Sequence, residues 1–243
     1  MKLDHKTLTK IMIGAIALVV GFVFGSLWRE NQLLRQGIGG TGTGTPTAQA
    51  PTAPTTDSLA KMPELTEEDH VRGSLDAPII LVEYSDYECP FCNRFHPTMQ
   101  QVLEEYGDQV AWVYRHFPLT SIHPRAQISA QAAECVAQAG GEDAFWQYTD
   151  RLFEEAGLAG AEALTEEALL EYAGELGVST GAVQTCLDND ATKAAVDEDT
   201  AGGRAAGITG TPGTIVMTQE GDFELISGAL PFEQIKTIID QYL

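Results

Sequence analysis

The stretch Ile79-Ile80-Leu81-Val82-Glu83-Tyr84-Ser85-Asp86-Tyr87-Glu88-Cys89-Pro90-Phe91-Cys92 decides how the rest of this chain is read. Its first half is a short apolar run, rich in β-branched residues and preceded by Pro78, which is the pattern of a buried strand. Asp86 to Pro90 then form a connection, and Phe91 to Tyr106 read as a helix ended by Gly107. A strand that runs into C-x-x-C at a helix start sets the first sulfur over backbone N–H groups that lack intrahelical partners. The helix dipole favours a thiolate there. Pro90 suits the first helical turn, where its missing N–H costs nothing. Two residues between the cysteines allow a small, strained disulfide that exchanges readily.

Downstream, Val110 to Phe117 reads as a second strand, closed by Pro118. The β-α-β order implies a parallel pair with a right-handed crossover. Residues 124–139, 142–155, 165–176, 180–187 and 191–206 then read as successive helices punctuated by glycine. Thr214 to Thr218 and Phe223 to Ser227 form a hairpin around Glu220-Gly221-Asp222, and Pro231 to Leu243 is a closing amphipathic helix. The fold class expected is an α/β sheet with a helical insertion over about residues 120–206. Trp112, Phe145, Trp146 and Phe153 fall on apolar faces and are expected in the core. Asp197-Glu198-Asp199 is expected to be a solvated helix face, and His123, just before Pro124, a local cap at a helix start.

Upstream, no residue from Ile11 to Trp28 is charged, and eighteen residues at helical rise span roughly 27 Å, close to the hydrocarbon thickness of a bilayer. Lys2, His5, Lys6 and Lys10 precede the run, so the positive-inside rule puts the N-terminus in the cytoplasm. The expectation is a signal anchor over residues 1–28: a single-pass cell-membrane protein with everything beyond residue 28 outside the cytoplasm. A cleaved signal peptide is the competing reading, but no A-x-A site follows the run. Gly21 and Gly25 form one G-x-x-x-G, which small residues in a monomeric anchor also explain. Residues 29–62 are expected to be a flexible tether, because the Gly, Thr, Pro and Ala of Gln36 to Asp57 offer too little apolar surface to fold. The folded domain then covers residues 63–243.

Composition bounds the chemistry. The chain has 35 acidic and 14 basic residues among 243, a formal net charge of -21, which argues against nucleic-acid binding. Its 24 Gly and 4 Cys exclude collagen-like and knottin-like classes. Zinc is the other chemistry a C-x-x-C serves. It calls for a second close pair, whereas Cys135 and Cys186 lie far apart in the chain and His96 does not complete four ligands. No metal and no bound cofactor are therefore expected beyond a redox-active Cys89–Cys92 disulfide, in a compartment where disulfides persist.

The segment Glu83 to Cys92 resembles the active-site segment of the DsbA-like thiol:disulfide oxidoreductases of bacterial envelopes. Three further segments match that family in order: Tyr114-Arg115-His116-Phe117-Pro118-Leu119, Ala132-Ala133-Glu134-Cys135 with Phe145-Trp146 downstream, and Gly207-Ile208-Thr209-Gly210-Thr211-Pro212. The resemblance covers about residues 64–243 and implies a thioredoxin fold with an inserted helical domain. It implies that Cys89 and Cys92 carry the exchange, and that Thr211-Pro212 is a cis-proline loop facing them and contacting substrate with Pro90 and Phe91. It also implies that Glu83 relays protons to and from the second cysteine; a strand-end glutamate reaching solvent is the alternative. Arg115 and His116 are candidates for a basic partner of that carboxylate. Some relatives carry a second disulfide, which here joins Cys135 to Cys186; two buried free thiols are the alternative.

The implied activity is oxidation of reduced or unfolded exported proteins, with a quinone-linked membrane reoxidase as partner. A reductase or isomerase on the same scaffold, or a non-redox peptide-binding chaperone, are the other readings. Where the family places a polar or β-branched residue and then an aromatic after the cis proline, this chain has Gly213-Thr214. Asp86 and Glu88 are expected to raise the pKa of Cys89 by their charge, and Phe91 cannot donate a hydrogen bond to it, so a weaker oxidant is expected.

Overall fold

Residues 55–243 are described in this computed structural model; the expected anchor and the linker up to residue 54 lie outside them. Among the described residues, no helix is long and apolar enough to cross a membrane. Five strands form one sheet: β1 (His70–Arg72), β2 (Ile79–Ser85), β3 (Val110–His116), β4 (Gly213–Thr218) and β5 (Phe223–Ser227), in the order β1-β3-β2-β4-β5. The central pair β2 and β3 is parallel, with Glu83 opposite Tyr114 and Ser85 opposite His116. β4 runs antiparallel to β2 and β5 antiparallel to β4, whereas β1 lies antiparallel on the outer side of β3.

Every residue of β2 and of β3 is buried, because helices cover both faces of the sheet and both faces must therefore be apolar. Ile79, Leu81, Trp112 and Tyr114 point to one face, under α2 (Pro90–Tyr106) and the helices α3 (Ala126–Gly140) and α4 (Glu142–Ala159) of the insertion. Ile80, Val82, Tyr84 and Val113 point to the other. The insertion continues through α5 (Glu166–Glu175) and α6 (Thr180–Asp188). The chain returns to the second face as α7 (Lys193–Ala205), and α8 (Phe232–Ile239) closes against α2. α7 approaches β2 so closely that a Cβ on Gly203 would stand 2.7 Å from the Tyr84 ring. Only glycine fits there.

Several expectations need correction. β1 was not read, because three residues are too few to show any alternation. The tether does not extend to Met62: α1 (Thr56–Leu59) buries Leu59, and Met62 packs against the second-face core. The segment just beyond is tied down by Arg115, which forks onto both oxygens of Asp69 at 2.7 and 3.1 Å. The same guanidinium donates to the carbonyls of Pro63 and Glu64 and to the Tyr84 hydroxyl. Asp199 is no solvated side chain: it turns inward and accepts the backbone N–H of His116 at 2.9 Å, and burial raises its pKa to about 6. His123 caps nothing with its side chain; it donates to Asp86 at 2.7 Å. Helix ends also move, α4 running on to Ala159 and α8 stopping at Ile239. Trp112, Phe145, Trp146 and Phe153 are buried in the core of the first face.

Candidate dithiol site

Cys89 is the N-cap of α2, with extended backbone, and Pro90 occupies the first helical position. Both thiols are free in this structure and both are buried, Cys89 at 3% exposure and Cys92 at none. The first sulfur is therefore less open than its position at a helix end suggests. The reason lies across the sheet: the Thr211–Pro212 peptide is cis, and Cys89 Sγ lies 3.5 Å from the Thr211 carbonyl oxygen, to which its thiol donates. Pro212 is buried and Thr211 half-buried, so the loop roofs the dithiol. Gly213, where the chain departs from the family pattern, sits opposite Tyr84 with Ile208 and the Gly210 carbonyl 3.1–3.2 Å from where a Cβ would be. A side chain at this position would press on the 207–210 turn, which would have to give by a few tenths of an ångström.

The two sulfurs differ sharply. The pKa of Cys89 is lowered from the ordinary thiol value to about 5. The chief cause is the hydrogen bond from the Cys92 thiol; burial opposes it, and the Thr211 side chain and the backbone N–H groups of Cys92 and Phe91 add to it. Burial, then the neighbouring Cys89, push Cys92 well above the ordinary value.

The expected rise at Cys89 from Asp86 and Glu88 is a correction. Asp86 is buried with its oxygens turned from the thiol, accepting the N–H of Glu88 at 2.9 Å, the N–H of Leu119 at 2.9 Å and the His123 ring at 2.7 Å. Glu88 accepts the N–H of Arg125 at 2.6 Å. The two carboxylates thus bind the loop before Cys89 to the 117–125 loop that opens the insertion, and their charge is met by donors. This clamp was missed in the sequence. Its one legible signal is an aspartate placed to cap the amide two residues on, an Asx turn.

Glu83 does not reach solvent. Its side chain is fully buried on the α2 face of β2, and among the described residues neither carboxylate oxygen is met by a hydrogen bond of good geometry. Burial raises its pKa to about 7, and the Ser85 hydroxyl and the Trp112 indole N–H offset only part of that rise. Arg115 is no partner for it, since β3 turns that side chain to the opposite face, onto Asp69. His116 lies on the same face as Glu83 but commits Nε2 to Glu134 at 3.1 Å. Above the dithiol, Pro90 and Phe91 are exposed, Phe91 at 54% with the Arg94 guanidinium 5.0 Å from its ring centre; Ile122, in the clamped loop, is 68% exposed. Cys135 and Cys186 are joined by a disulfide, with Cα atoms 5.9 Å apart, linking α3 to α6.

A family model described as thioredoxin matches residues 65–241. Among solved structures, Pseudomonas aeruginosa DsbA2 is similar at 23% identity and a TM-score of 0.61, over 74% of this chain and 97% of that one. BdbD from Bacillus subtilis is similar at 22% identity and 0.63, over 78% and 95%. The curated relatives are of another kind: proteins named Na(+)/H(+) antiporter NhaA, 36% identical in Salinispora tropica over 60% of this chain and 49% identical in Mycolicibacterium gilvum over 36%. This chain spans only 21% and 14% of their lengths.

Proposed function

Because the chain belongs to the thioredoxin family, we propose that it is a protein thiol:disulfide oxidoreductase that introduces disulfides into exported proteins. One observation carries the reading: two cysteines one helical turn apart, the first with its pKa lowered to about 5 and the second raised, beneath a cis-proline loop and beside the fully buried carboxyl of Glu83.

In the oxidised enzyme a substrate thiolate attacks Cys89 Sγ. The Cys89–Cys92 bond breaks, and Cys92 leaves as a thiolate. Its high proton affinity calls for a proton at once, and Glu83, with a pKa of about 7, gives it one from within the same apolar face. A second substrate thiolate then attacks the substrate sulfur of the mixed disulfide, forming the substrate's disulfide and releasing Cys89 as the favoured thiolate. Two electrons have passed to the Cys89–Cys92 pair. A membrane quinone-linked reoxidase takes them back. The backbone of Thr211, just ahead of the cis proline, offers an edge for a substrate strand, and Pro90, Phe91 and Pro212 border it. The uncharged run of residues 11–28 holds the domain at the outer face of the cell membrane, with the N-terminus in the cytoplasm.

Alkylation trapping of Cys89 and Cys92 in living cells tests the direction. A mostly oxidised pair supports the oxidase; a mostly reduced pair overturns it in favour of a reductase or isomerase.

A further inference from the structure

On the insertion side of the sheet, Glu134 of α3 reaches between two imidazoles. Its Oε1 lies 3.1 Å from His70 Nε2 on β1 and 3.1 Å from His116 Nε2 on β3. The three atoms fall within 4.8 Å of one another. We propose that His70, His116 and Glu134 bind one divalent transition-metal ion of the zinc class, which ties the helical insertion to the edge of the sheet.

Four features support a ligand set over a plain ion pair. Metal–nitrogen and metal–oxygen bonds of 2.0–2.2 Å at tetrahedral angles set neighbouring ligand atoms about 3.4 Å apart, so the two 3.1 Å spacings need only a small opening to admit an ion. The second ring nitrogen of His70 is already committed: Nδ1 lies 2.8 Å from Glu142 Oε2, which accepts its N–H and orients the ring so that Nε2 faces Glu134. Glu142 is itself fixed by the N–H of Val71 at 2.9 Å and by Trp146 Nε1 at 2.7 Å, and the His70 ring stacks on Phe145 at 3.3 Å between centres. A supporting shell of this kind is what orients metal-bound imidazoles.

The third feature is access. His70 and Glu134 border a cavity of about 240 Å³ whose other walls include Glu64, Glu68, Glu198 and Asp199, leaving room for a water ligand and a field that attracts cations. The fourth is chemistry: two imidazoles and one carboxylate suit zinc, cobalt or nickel, whereas calcium and magnesium take all-oxygen sites.

The test uses the full chain, stripped with a chelator, with Cys89–Cys92 kept oxidised, and Co2+ alone as the probe. One Co2+ per chain is expected, detected by its visible absorption, displaced by Zn2+ and untouched by excess Ca2+ or Mg2+. Binding should fall at least tenfold in both His70→Gln and Glu134→Gln, and metal should raise the melting temperature of the parent chain alone. Circular dichroism of the metal-free variants separates a lost site from a lost fold. The proposal is overturned if the parent chain binds no Co2+, if Ca2+ displaces it, or if either variant, folded, binds as tightly as the parent. Binding that appears only after reduction of the dithiol also overturns it, since the ion is then held by the thiols.

Discussion

Cys89 Sγ and the carbonyl oxygen of Thr211 lie 3.5 Å apart, although 122 residues separate them in the chain. The contact closes the dithiol on the side away from α2, and leaves a substrate thiolate a single sulfur to attack. Cys92, one turn further into α2, has no exposed surface at all.

The two cysteines should therefore differ on substitution. Cys89→Ser should abolish exchange. Cys92→Ser should keep a nucleophilic thiol without its internal route of escape, so that client proteins accumulate as mixed disulfides on Cys89. Non-reducing gels of cells expressing each variant check this, and equal trapping by both would refute the assignment.

Titration of the reduced protein, followed by the ultraviolet absorbance of the thiolate, should give a midpoint for Cys89 near 5. Because Glu88 is bound to the Arg125 amide, Glu88→Gln should leave that midpoint where it is. A drop in the variant would mean that the carboxylate does act on the sulfur.

Glu83 has a folded pKa of about 7 against an ordinary 4.5. A raised acid contributes its stability in full below the unfolded value and loses it as pH climbs through the folded one. Between pH 4 and 8 the oxidised parent should accordingly lose roughly 3 kcal/mol of unfolding free energy that Glu83→Gln keeps. Urea denaturation at the two pH values measures the difference, and parallel pH profiles would exclude a buried, titrating carboxyl. The same variant should slow exchange, most of all where Glu83 is the proton donor to Cys92.

The Cys135–Cys186 bridge spans 51 positions of sequence. The double variant Cys135→Ala/Cys186→Ala should lose ~2–4 kcal/mol of stability in the chain-entropy account. Exchange at low temperature should largely survive, because the bridge joins α3 to α6 and touches neither active-site sulfur. Loss of exchange in the folded variant at low temperature would show that the bridge supports the site itself.

What the sequence by itself determined was local. The apolar run of β2, the proline at the head of α2 and the C-x-x-C spacing each act within a few residues of themselves. They suffice to set a strand, a helix and a dithiol at their junction. The helical insertion was equally legible, since its five helices carry their own apolar periodicity and glycine stops. Tertiary structure decided everything that depends on which distant segment arrives. Asp86 and Glu88 read as charges beside a thiol, yet the 117–125 loop delivers amides and a histidine that occupy them. Asp199 read as solvated until α7 folded back over the end of β3. Arg115 and His116, adjacent in sequence, were both candidates to pair with Glu83. Strand alternation sends one to Asp69 on the far face and the other to Glu134 on the near one. The His70–Glu134–His116 cluster draws on three elements, one of them a three-residue strand without any sequence pattern. Electrostatic environments of this kind are sums over neighbours in space, and a chain read in one dimension lists only the neighbours in sequence.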